Sequence, residues 1–191
     1  MQDMTEIRWH ARAGQGAVTA SKLLAETALM KGRYIQAMPE YGPERTGAPL
    51  RAFTRISNEP IEVHNNITNP DVVVVLDETL LAIVDVLEGI KPNGTLIINS
   101  TKSPEDVRKE VKAPDTLKIA VVDASGIAID TIKRDIPNTP IVGALAQVTG
   151  GVTVDALKEN LVKTFGKKFA KEMVDANLAS VDRAVKEVQV G

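Results

Sequence analysis

Residues 71–76, DVVVVL, constrain the fold more than any other stretch of the chain. Five apolar residues in succession leave no side for water, so a strand built from them has to be covered on both faces. A central strand of a parallel sheet meets that condition. The stretches that follow repeat a strand and helix order. Helical spacing is expected at 78–87, a turn at Lys91-Pro92-Asn93-Gly94, a strand at 96–98, a second buried strand at 117–122 and a helix at 124–134.

The N-terminal part has the same order. Ile7 and Trp9 alternate with Arg8 and His10 in a strand at 6–11, the short stretch Ala13-Gly14-Gln15-Gly16 turns, and 17–31 reads as a helix stopped by Gly32. A strand at 33–38 leads into 39–49, where Pro39, Gly42, Pro43, Gly47 and Pro49 predict a long, stiff loop. The strand at 50–56, the turn Asn58-Glu59-Pro60 and the return at 61–63 suggest a hairpin. Beyond Pro140 the pattern is helical throughout (141–148, 154–165, 168–188), with no strand after it. Glu159 with Lys163 and Asp182 with Lys186 stand at pairing distance along a helix. The prediction is a single α/β domain over 1–191, with a doubly wound, mostly parallel, Rossmann-like sheet and a helical C-terminal region. An aromatic content of only 3% means that Val, Ile, Leu and Ala must fill the core.

Composition also narrows the function classes. A net charge of −2 spread along the chain gives no field to attract a phosphate backbone, so nucleic acid is not an expected partner. No run of eighteen apolar residues occurs and residues 1–8 lack the blocks of a signal peptide, which predicts a cytoplasmic protein with no membrane partner. The cysteine count is zero. Thiolate-held iron–sulfur clusters, disulfides and a Cys nucleophile are therefore excluded, and two histidines make a zinc site improbable.

Two stretches carry candidate chemistry. The glycine turn between the first strand and the first helix would let backbone N–H groups approach an anion. It is not a dinucleotide fingerprint: Ala11 and Ala13 break the glycine pattern, and Gln36 and Ala37 stand where an acid would end the second strand. No Lys-Ser/Thr pair follows the glycines, which excludes a nucleoside-triphosphate loop. A tight turn without a ligand is the plain alternative. The second stretch, Pro39 to Pro49, has the stiffness of an interfacial or functional loop, with Arg45 able to meet a carboxylate or phosphate and a rigid surface loop as its plain reading. His10 and His64 suggest acid–base chemistry only weakly, and ordinary hydrogen bonding is the expectation for both. Asp77, Glu78 and Asp123 follow strands where α/β ligands bind, or where helices are capped.

Taken together, IRWHARAGQGAVTASKLL at 7–24, YIQAMPEYGPERTGAPLRAFTRI at 34–56, the Asn69-Pro70-Asp71 valine run, LIINS at 96–100 and NTPIVGALA at 138–146 resemble the gamma subunit of the pyruvate and 2-oxoacid:ferredoxin oxidoreductases. Most of the chain is covered. Relatives usually carry Gly where Ala11 and Ala13 stand here, which alters the turn's freedom. The resemblance implies a complex that decarboxylates a 2-oxoacid oxidatively, passes electrons to ferredoxin and delivers the acyl group to coenzyme A. It implies thiamine diphosphate with magnesium between other subunits, iron–sulfur clusters in a ferredoxin-like chain, and none of these in this chain. For this chain it implies no catalytic residue, a coenzyme A side formed with Gly14, Gln15, Gly16 and Arg45, and a subunit interface at Tyr41, Glu44 and Arg45. A purely structural assembly subunit and a free-standing nucleotide-binding α/β protein are the competing readings; the first predicts no ligand contact from the glycine turn.

Overall fold

The computed structural model describes residues 4–40 and 47–191. The chain forms one seven-stranded sheet in the order β2-β3-β1-β4-β5-β6-β7, from β1 (Met4–Arg12), β2 (Tyr34–Glu40), β3 (Pro49–Ser57), β4 (Val72–Val75), β5 (Thr95–Asn99), β6 (Lys118–Val122) and β7 (Gln189–Val190). β1, β4, β5 and β6 are mutually parallel and form the central block. β3 and β2 extend it antiparallel on one side, and β7 closes the other.

The valine run behaves as its composition demands. All four residues of β4 are fully buried, and alternate ones serve different layers. Val72 and Val74 join Ile7, Trp9 and Ile97 beneath five helices: α1 (Ala17–Met30), α3 (Ala124–Ile132), α4 (Asn138–Thr149), α5 (Val154–Phe165) and α6 (Lys171–Glu187). Val73 and Val75 join Leu96, Ile98, Ile119 and Val121 on the opposite face, under α2 (Pro104–Glu110) and the turns near Val86. The sheet is thus covered on both faces, but unequally.

Trp9 is fully buried, and its indole N–H donates to Thr54 Oγ1 at 3.0 Å. Thr54 lies 2.9 Å from the Ser21 hydroxyl, so one polar thread ties β1, β3 and α1 through an apolar layer. Asn160 does the same between helices, donating to Leu23 O and Thr27 Oγ1 and joining α5 to α1.

Several expectations need correction. The hairpin return at 61–63 is not a strand. β3 is paired on both sides, by β1 and by β2, so no edge is left for it, and the Val63 carbonyl instead accepts from the side chains of Gln36 and Arg55. The helix expected at 78–87 is a five-residue 3-10 turn (Glu78–Ala82). Past it, β-branched Ile83, Val84 and Val86 resist helix, Asp85 Oδ1 accepts from Leu87 N, and Arg8 takes the carbonyls of Val86 and Glu88.

Helix α2 was not anticipated, although Ser103 caps it through Asp106 N and Pro104 opens it. β7 was not anticipated either. Pro39, Glu40 and Pro49 belong to strands rather than loop: β2 is an edge strand and Pro49 is the first residue of β3, places where a missing N–H is tolerated. The two presumed helical pairs are replaced by contacts between helices, Glu159 with Lys31 and Asp182 with Lys158.

Leu24 is fully buried beneath the sheet, so Leu24→Ala should lower the unfolding free energy by about 2–5 kcal/mol. Urea titration followed by the fluorescence of Trp9, the chain's one tryptophan, measures it; a loss below 1 kcal/mol would contradict this packing.

Candidate active-site edge at the strand switch point

After β1 the chain moves to one side of the sheet, and β4 begins the march to the other. The loops at the carboxyl ends of β1 and β4 therefore diverge and leave a crevice, the place where open α/β sheets bind ligands. The glycine turn lies on one lip, and Asp77 and Glu78 lie on the other.

The turn is built by backbone geometry. Gly14 has φ +103° and Gly16 has φ +83°, both in the region that side chains disfavour. A Cβ on Gly14 would meet open space. On Gly16 it would come within 2.7 Å of the Asn138 side chain, where α4 begins. Ala13 N donates to Ala48 O and Gly47 N to Ala13 O, which fastens the turn to the start of β3. No side chain caps α1, and no acid stands in its first turn. Ala11 is a fully buried strand residue and Ala13 precedes the positive-φ positions, so neither alanine prevents the turn.

The Gln15 side chain is held at both of its polar atoms. Its Oε1 accepts from Arg12 N at 2.8 Å and its Nε2 donates to Asp77 Oδ2 at 2.8 Å, 62 residues away in the chain. Arg12 adds an ion pair to Asp77 at 3.2 Å and donates to Thr79 Oγ1 and Gly47 O. Burial opposes ionisation of Asp77. Hydrogen bonds from the Thr79 and Gln15 side chains and the Thr79 N–H, with the charge of Arg12, outweigh it and hold the carboxyl below its ordinary range. Asp77 also caps the 3-10 turn and Asp123 caps α3, so both acids have the structural role weighed for them.

The crevice itself, about 240 Å³, is lined by Gln15, Asp77, Glu78, Asn99, Asp123 and Asp135 among others. Its acids are bonded in place: Ser100 donates to Glu78 and Ser125 to Asp135. Asn99 bridges Leu76 O and Ser125. Carboxylates after β4 (Asp77, Glu78) and after β6 (Asp123, Asp135) flank the amide and hydroxyls at the carboxyl end of β5, which disfavours a phosphate inside and suits a neutral polar group. Asn99 and Ser100 lie in the LIINS stretch that carries the resemblance but were not read as site residues, and Asp135 had no mark; strand order brings the three together.

Among the other candidates, Tyr41, Glu44 and Arg45 lie outside the described residues. His64 is at the surface and bonds Gln36. His10 is 3% exposed and accepts a hydrogen bond from Arg8 Nε at 3.1 Å. Burial, then the cations Arg8 and Arg51, lower its pKa to about 3. It is neutral at physiological pH and poorly suited to proton transfer there. The sequence has no cysteine to hold an iron–sulfur cluster, and among the described residues no group of three potential metal ligands converges.

Residues 6–187 match the family model for pyruvate ferredoxin/flavodoxin oxidoreductase. The pyruvate synthase subunit PorC of Thermotoga maritima is 54% identical over 184 residues, covering 96% of this chain and 94% of its own. The crystal structure of that organism's PORC subunit superimposes with a TM-score of 0.86 over 100% of this chain and 99% of the other, at 48% identity. The chain belongs to this family as a gamma-type subunit. The pyruvate/ketoisovalerate oxidoreductases common subunit gamma of Pyrococcus furiosus is 44% identical over 98% of both chains. The same fold occupies 32% of the 2-oxoglutarate:ferredoxin oxidoreductase chain of Magnetococcus marinus, whose structure holds 2-oxoglutarate, coenzyme A and succinyl-CoA. It covers 97% of this chain with a TM-score of 0.77 at 20% identity, a likeness of fold. Family members are oxidoreductases, and a gamma-type chain works among other subunits. No helix among the described residues is long and apolar enough to cross a membrane.

The depressed pKa of His10 fixes a sign. The unfolded chain binds a proton at His10 below about pH 6.5, whereas the folded chain does so only near about 3. Stability is therefore lost as pH falls through that window. Acid titration of unfolding free energy should show a steeper fall between pH 6.5 and 4 for the wild type than for His10→Gln. Equal slopes would contradict the buried, neutral assignment.

Proposed function

We propose that this chain, acting as one domain over 1–191, forms the coenzyme A side of a 2-oxoacid:ferredoxin oxidoreductase and contributes no redox centre of its own. The reading rests above all on the glycine turn at the switch point. It presents open space at Gly14 in front of a helix start that no side chain caps. The acid-lined crevice beside it favours the uncharged amides of the pantetheine arm over the phosphates. The phosphates are assigned to Arg45, whose guanidinium suits them.

Pyruvate is the substrate favoured by the relatives' names, with branched 2-oxoacids second, since one 44% identical relative is shared between pyruvate and ketoisovalerate enzymes. Thiamine diphosphate, magnesium and iron–sulfur clusters are assigned to other subunits, ferredoxin to the role of acceptor, and the complex to the cytoplasm. Tyr41, Glu44 and Arg45 are proposed as the subunit contact.

The chain's own chemistry is then positional. The Arg12–Asp77–Gln15 tie holds the two lips of the crevice at fixed separation, the turn offers N–H donors to the acyl acceptor's amides, and the fixed edge limits where its thiol end can point. A purely structural subunit would leave the turn without a ligand. Activity of the isolated chain tests both readings, and coenzyme A kinetics of the complex separate them. Purified alone, the chain should be colourless and inactive towards a 2-oxoacid with a dye acceptor; turnover by the isolated chain would overturn the proposal.

In the assembled complex, Gly14→Ala adds a methyl where there is room, at a backbone strain on the order of 1–3 kcal/mol. It should raise KM for coenzyme A roughly two- to tenfold, the worth of one neutral hydrogen bond, and leave the 2-oxoacid KM unchanged. Arg45→Ala should raise the same constant roughly ten- to hundredfold. Gly16→Val is the poorer test, because its side chain collides with Asn138 and disturbs α1 itself. Normal assembly with coenzyme A dependence untouched in both variants would leave only the structural role.

A further inference from the structure

On the face of the sheet away from α1, β1 and β3 bring His10 and Arg51 directly opposite one another. The 3-10 turn sets Leu80 beside them, with Val84 just beyond it. With Glu40, Pro49 and Leu50 these residues line a recess of about 330 Å³, within the size range of small-ligand clefts.

The polar groups in this recess are unequally used. Arginine can only donate, so the bond from Arg8 Nε makes His10 Nε2 an acceptor and places the hydrogen of the neutral ring on Nδ1. Nδ1–H has no acceptor among the described residues. No sealed side-chain polar atom lacks a partner among those residues, so Nδ1 opens on the recess rather than on packed atoms. Arg51 donates Nε and Nη2 to Glu40, and its Nη1 has no partner among the described residues. Arg8 sits behind the ring, 3% exposed, and is bonded to His10 and to the carbonyls of Val86 and Glu88, with no carboxylate in direct contact. The charges that bear on the His10 ring are those of Arg8 and Arg51, both cationic.

We propose that this recess binds a small aliphatic carboxylate, its head between His10 Nδ1–H and Arg51 Nη1 and its branched tail against Leu80 and Val84. His10 and Arg51 are cross-strand partners that both line the recess, so two N–H donors stand ready for the two oxygens of a carboxylate. The Glu40 carboxylate at the rim disfavours a dianion such as phosphate, and the aliphatic wall rewards a tail that acetate lacks. A neutral amide of the same shape loses the charge-assisted part of the interaction. The site stands on residues that take no part in the coenzyme A reading and rests on no part of it.

The test is a saturation-transfer NMR titration of the full chain with isovalerate, alongside isovaleramide and acetate. Isovalerate should bind saturably, with isovaleramide and acetate each at least tenfold weaker. Arg51→Gln should weaken isovalerate roughly tenfold. Val84→Trp, which fills the recess from a partly exposed position, should abolish binding while Trp9-region packing and the unfolding transition stay intact. His10→Leu is the less secure variant because it leaves Arg8 Nε unpaired; His10→Gln keeps an acceptor for Arg8 and should weaken isovalerate less than Val84→Trp. Equal affinity for acid and amide, no saturable binding of isovalerate, or binding unchanged by both Arg51→Gln and Val84→Trp would each overturn the proposal.

Discussion

A strand of four valines has no polar side to show to water, and β4 therefore needs hydrogen-bonded neighbours on both edges and cover on both faces. β1 and β5 supply the edges. The helices from α1 and α3 to α6 supply one cover, and α2 with the turns near Val86 the other. Once β4 is placed, the parallel block, the two-layer burial and the unequal helix distribution follow. A polar residue at Val74 would have to be accommodated against Trp9 and Ile97, which it faces across two ladders.

The same placement creates the functional edge. β1 and β4 are parallel neighbours whose connections leave in opposite directions, so past the Leu76 N–H to His10 O bond their chains diverge and side chains bridge them. Arg12 and Gln15 reach Asp77 from one lip, and Thr79 holds Asp77 from behind. Asp77 stays ionised because those donors outweigh its desolvation. These side-chain bonds fix the edge of a chain that belongs among the gamma-type subunits.

The parallel block was legible because it is written in local chemistry: continuous valine and isoleucine runs, a turn at Asn93-Gly94 and helical spacing in the last third. The glycine turn was legible by its position between a strand and a helix. Pairing was not. Whether 61–63 returns as a hairpin depends on whether β3 has a free edge, and that edge is taken by β1 and β2, strands set by distant sequence. The short 3-10 turn in place of a helix depends on Arg8 drawing the Val86 and Glu88 carbonyls outward, a contact across about eighty residues. The α2 signal, Ser103-Pro104 followed by Asp106, was present in the sequence and its reading would have found the helix. The side-chain partner of Gln15 was hidden for a similar reason: it is a loop amide in the sequence, and only the adjacency of β4 brings it to Asp77.

The central claim is that the switch-point edge of this subunit faces coenzyme A. Hydrogen exchange of the assembled complex, with and without coenzyme A, reads the backbone N–H groups at 14–18 directly, independently of turnover. The account predicts slower exchange there on addition of coenzyme A, with β5 and β6 unchanged. Identical exchange at 14–18 in both conditions, with protection elsewhere showing that coenzyme A had bound, would contradict it.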